Sequence, residues 1–178
     1  MDIKDRNQHI ENFLKTLRSE SDRGSVIVAA SLLDDVLAKL LKARLAPSLE
    51  KKDELFDDHS SPFSTFSARI DLAYRLGLLR PNARASLHQL RKIRNNFAHV
   101  SNPKGFDSDS TKSRIQELFK LNKNVVDEMS NLVNVKLGIS RDEFLKNHRL
   151  ILEVLFSFAA GFMLASIQDL ETIEPLWD

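Results

Sequence analysis

"LILEVLFSFAAGFMLASI", residues 150–167, decides what kind of fold this chain makes. The run carries one charge, Glu153. By length it is borderline for crossing a bilayer. Against a span, Glu153, Ser157 and Ser166 recur within it, and charged or polar sequence adjoins both ends. A helix that is apolar nearly all round needs cover on most of its surface. We therefore read it as a buried core or dimer-interface helix, with a second subunit as one source of cover and no membrane.

Working outward, the pattern stays helical. Ser140 and Glu143 have capping-box spacing, so the last helix is expected to start there, contain the apolar run and fade near Glu171. Before it, residues 111–137 read as one helix closed by Gly138. Residues 4–18 place Ile10, Phe13, Leu14 and Leu17 on one face. A second helix begins near Ser21 and Asp22, good capping types, and stops before Pro47. A third starts near Ser64, with Gly77 as its C′ residue. A fourth follows Pro81 and runs to the end of "RKIRNNFAH", residues 91–99. Residues 47–62 form a polar connection, and residues 101–110 form a loop dense in turn formers. Long helices with short turns predict an all-α, compact up-and-down bundle. No repeat or linker divides it, so residues 1–178 are expected to form a single helical domain.

Composition narrows the function. The 178 residues are 42% hydrophobic and 29% charged, ordinary for a globular chain. Only 5 Gly and 5 Pro argue against a turn-rich β fold. A net charge of +1 gives no global field for nucleic acid or a membrane, so anion binding must come from a local patch. With no cysteine there are no disulfides, thiolate zinc sites or cysteine nucleophiles, which suits a reducing cytoplasm. The N-terminus, "MDIKDRNQHI", has no secretory apolar segment. The five histidines are scattered without metal spacing, and no cofactor motif occurs. "DELFDDHSS", residues 53–61, reads as a solvated acidic loop.

The fourth helix carries the local patch. At about 100° per residue, Leu87, Leu90, Ile93 and Phe97 form its core stripe. Arg84, His88, Arg91, Asn95 and His99 form a second, polar stripe, with Arg94 at the boundary. Arg84, Arg91, Lys92 and Arg94 give this side a positive potential that suits phosphate. Histidine moves protons near neutrality, and arginine stabilises charge on a phosphate without acting as a base. RNA supplies its own nucleophile, the 2′-hydroxyl. Asp34 and Asp35 in the second helix are candidate partners for Arg94 or Arg69 across the bundle. Pairing with Arg94 would draw that arginine away from phosphate.

"RNNFAH", residues 94–99, resembles the R-x-x-x-x-H motif of HEPN domains: an arginine, a polar residue, three more, then a histidine near a helix end. The resemblance implies a HEPN-like bundle that forms a homodimer. It also implies a composite, metal-independent endoribonuclease site built from two motifs. Arg94 would then contact phosphate, Asn95 would orient or support it, and His99 would act in proton transfer. Arg84, His88, Arg91 and Lys92 would bind the nucleic acid around them. Attack by the 2′-hydroxyl would leave 2′,3′-cyclic phosphate and 5′-hydroxyl ends.

A second resemblance spans more of the chain. "RGSVIVAASLLDDVLAKLL", "FSTFSARIDLAYRLGLL" and "LHQLRKIRNNFAH", within residues 23–99, are similar in type and order to segments of the bacterial mannitol operon repressor family. This implies an all-helical transcriptional regulator. No helix-turn-helix with a separate recognition helix stands out, so such a regulator would work through a protein partner. A noncatalytic antitoxin-like or scaffold role is the third expectation.

Overall fold

The computed structural model describes residues 3–98 and 105–174. Among them are eight α-helices and no strand: α1 Ile3–Arg18, α2 Asp22–Arg44, α3 Phe66–Arg75, α4 Pro81–Ala98, α5 Asp109–Leu121, α6 Lys123–Leu137, α7 Arg141–Lys146 and α8 His148–Ile167. Polar residues mark the starts. Ser21, Thr65, Ser108 and Ser140 are N-caps whose side chains accept from the first-turn amides of α2, α3, α5 and α7. The Ser140–Glu143 capping box is complete. Gly77 and Gly138 adopt φ of 74° and 67°, the left-handed conformation that ends a helix without strain at glycine.

Two expected helices are each broken at an asparagine. Asn122 separates α5 from α6. Its Nδ2 donates to the Leu118 carbonyl and to Ser86 Oγ of α4, both at 2.8 Å. The side chain thus competes for helix acceptors while pinning the turn to α4. Asn147 separates α7 from α8, and its Oδ1 accepts from the Leu150 amide at 3.0 Å, so it caps the long helix in mid-sequence.

One continuous cluster of buried side chains draws on all eight helices. α8 lies at its centre, packed chiefly against α1 and α2. Of the helices among the described residues, only α8 is long and apolar enough to cross a membrane, and 61% of its apolar window is buried inside the fold. Of the two expected environments, core and dimer interface, the structure gives the core, with the chain's own α1 and α2 as the chief cover. α1 packs closely on α8 because Gly161 presents no side chain where Ile10 crosses. Phe162 remains 49% exposed at the edge of this packing.

Glu153 explains the lone charge in the apolar run. It is 2% exposed. Its Oε1 accepts from Arg149 Nε at 2.7 Å and from Ser25 Oγ at 3.0 Å. Arg149 in turn donates to Asp22 Oδ1 at 2.8 Å and to the Glu20 carbonyl at 2.6 Å. A buried carboxylate is tolerable because charged and neutral donors surround it. The network clamps α8 to the α1–α2 corner. Burial opposes the charge on Arg149, but its bonds to Glu153 and Asp22 outweigh that and raise its pKa above the ordinary value.

Candidate functional site

α4 presents two kinds of side chain, as its angular pattern requires. Leu87, Leu90, Ile93 and Phe97 are buried in the core. Phe97 meets Phe106 with ring centroids 5.1 Å apart, which brings the chain after residue 104 back against the end of α4. From α2, Arg23 Nη2 donates to the Ala98 carbonyl at 3.1 Å, satisfying one of the acceptors a helix leaves open at its C-terminus. Sequence reasoning gave Arg23 no role.

The polar residues of α4 divide into two groups. Arg84 and His88 are held by Asp71 of α3. Arg84 Nη2 lies 2.6 Å and Nε 2.8 Å from Asp71 Oδ1, and His88 Nε2 lies 3.1 Å from the same atom. The hydrogen bond from Arg84, with help from His88, keeps the Asp71 carboxyl below its usual range. Arg84 also sits over the Tyr74 ring at 5.3 Å. These two residues, grouped in the sequence with the RNA-facing stripe, join α3 to α4.

The second group is Arg91, Arg94 and Asn95. They face Ala30, Ser31 and Asp34 of α2 and residues 64–67 at the start of α3 across a cavity of about 380 Å³. Arg94 Nη1 donates to Asn95 Oδ1 at 3.1 Å. These two neighbours in sequence are thus also joined through their side chains. Lys92 is exposed and lies outside the cavity lining. His99 falls outside the described residues, so Arg94 and Asn95 are the part of the motif whose surroundings are described.

Asp34 decides how Arg94 is used. Its Oδ1 bonds Arg69 Nη1 at 2.8 Å, and Arg69 Nε donates to the Phe63 carbonyl at 2.8 Å. Burial raises the Asp34 pKa, against the opposing pull of Arg69 and a weaker one from Arg94. Of the two arginines expected to compete for this carboxylate, Arg69 makes the bond. Arg94 stays at the cavity wall. Arg91 also lines it, and its Nε is buried without a hydrogen-bond partner.

The acidic stretch at residues 53–59 forms ion pairs rather than a cluster of free carboxylates. Lys42 bonds Asp57 at 2.8 Å and Asp53 at 3.5 Å, Lys52 pairs with Asp58, and Ser48 donates to Glu54. Asp107 is fully exposed, 3.7 Å from Lys112. Among the described residues, no group of His, Asp and Glu side chains is arranged to hold a metal ion.

No protein-family profile and no curated protein matches the sequence. Solved structures do match the fold. One is a possible transcriptional regulator, YggD, from Shigella flexneri 2a. It has a TM-score of 0.60 and 15% identity over 89% of this chain and 98% of that one. Another is MtlR, solved in a complex with HPr from Escherichia coli, with a TM-score of 0.56 and 17% identity over 90% of this chain and 98% of that one. At such identities the similarity is one of fold. That similarity of fold covers nearly the whole chain.

Proposed function

We propose that the chain, acting as one helical unit, is a regulator of the mannitol-repressor type that works by holding a protein partner. The observation carrying this reading is the match of its fold, over about nine-tenths of the chain, to a possible transcriptional regulator and to MtlR solved with HPr. HPr is accordingly the partner to test first. The surface we assign to it is on α6. Val126, Met129 and Val133 fix that helix to the core, while Val125, Leu132 and Val135 stay exposed on its other side, Val135 at 81%. At about 100° per residue the three fall within roughly 80° of arc on α6, and an apolar strip of that kind suits docking of another surface. Co-elution of the purified chain with HPr on a sizing column tests the reading. Wild type should elute with HPr, and Leu132→Asp/Val135→Asp should elute alone with its helical content intact.

A second reading keeps RNA cleavage across a homodimer, with Arg94, Asn95 and His99 as its residues. It is favoured by the Arg94–Asn95 bond and by the opening of both residues onto a cavity. Incubation with mixed RNA in EDTA tests it. Cleavage lost in both Arg94→Ala and His99→Ala would support this reading; equal cleavage by all three proteins would exclude the site.

A further inference from the structure

The cavity between α2, the start of α3 and α4 has more cationic character than the fold requires. Arg69 is bonded to Asp34, so that carboxylate is already neutralised. Arg91 and Arg94 line the same space, and neither forms an ion pair among the described residues. An anion entering this space would be attracted by both guanidiniums.

The start of α3 adds donors of the same kind. Its cap, Thr65, accounts for the Ala68 amide through its side chain and for the Arg69 amide through its carbonyl. Phe66 and Ser67 therefore supply the remaining amides of the first turn, and both residues line the cavity. Amides at a helix start favour negative charge. Hydroxyls of Ser31 and Ser67 and the amide of Asn95 complete a lining able to bond both an anion and neutral hydroxyl groups. At about 380 Å³ the space lies within the ~300–1,000 Å³ range of small-molecule sites.

We propose that this cavity binds a small phosphorylated, hydroxyl-bearing molecule such as a sugar phosphate, with Arg91, Arg94 and the first turn of α3 holding the phosphate. Ser31 and Asn95 meet the ligand's hydroxyls. Arginine is suited to this because its planar fork matches phosphate oxygens two at a time. The site does not depend on partner binding at α6, so either proposal can fail alone. A ligand here bridges three helices and would couple their packing to its own concentration.

Calorimetric titration of the full chain with glucose 6-phosphate, inorganic phosphate, glucose and a short single-stranded RNA tests the proposal. Glucose 6-phosphate should bind, more tightly than inorganic phosphate, and glucose should not. Arg91→Met should weaken binding at least about tenfold, the factor expected for one charge-assisted hydrogen bond. Ser67→Asp should do the same while suiting the helix start, because it sets a carboxylate where the phosphate would lie. Lys120→Gln, at an exposed cation not lining this cavity, should bind as wild type does. Equal affinity in wild type and both cavity variants, or equal binding of both phosphates, would mean an adventitious ion only and would overturn the proposal. So would RNA binding lost in those variants with no response to the sugar phosphate.

Discussion

Glu153 and Asp71 show how single charges act in this fold. Removing Arg149 strands a buried carboxylate, whereas Glu153→Gln leaves Arg149 its contacts with Asp22 and the Glu20 carbonyl. In urea melts, Arg149→Met should therefore cost about 3–5 kcal/mol and Glu153→Gln about 1.5–3 kcal/mol. Asp71 lies nearer the surface, with its side chain 47% exposed, so Asp71→Asn should cost no more than about 1 kcal/mol at neutral pH. Its folded pKa is depressed, so its contribution is present above the unfolded value of 3.8 and lost as pH falls through the folded one. Thermal melts of wild type and Asp71→Asn should therefore converge below pH 3.8. The sequence identifies the candidate carboxylates through helical spacing. It does not rank their partners: Asp34 takes Arg69 over Arg94 because Arg69, anchored on the Phe63 carbonyl, already reaches across from α3.

At the scale of elements, periodicity and caps made most of the helices legible. The Ser140–Glu143 spacing located a helix start, and the 3.6-residue pattern located the core stripe of α4. The breaks at Asn122 and Asn147 were hidden because each depends on a side-chain bond that spacing alone cannot reveal. The source of α8's cover was hidden for a similar reason, since an apolar face does not say which neighbour meets it. Gly161 is the point where α1 and α8 come together. A methyl there would run into Ile10, so Gly161→Ala should destabilise the protein by about 1–3 kcal/mol, even though alanine favours the helix by up to ~1 kcal/mol. Ile10→Ala should be less damaging in the Gly161→Ala background than in wild type. A double-mutant cycle on chemical melts measures that difference.

For the whole molecule, the bundle and its central helix were readable from hydrophobic pattern, and two solved structures share the fold over 89% and 90% of the chain. The candidate site was readable only in part. Arg91 and Asn95 share a stripe in the sequence, Arg94 lies at its boundary, and all three line one cavity in the fold. Arg84 and His88 share the stripe but are engaged by Asp71, an acid on another helix that angular counting along α4 does not include. Ser31 and Ser67 carry no motif at all and enter the site only because three helices converge. The proposed hold on a protein partner is tested by calorimetric titration of the purified chain with HPr, repeated with Leu132→Asp/Val135→Asp. Wild type should bind saturably and the variant at least about tenfold more weakly, the loss expected when the apolar centre of an interface is disrupted. No binding by wild type, or the same affinity in both proteins, would overturn the proposal.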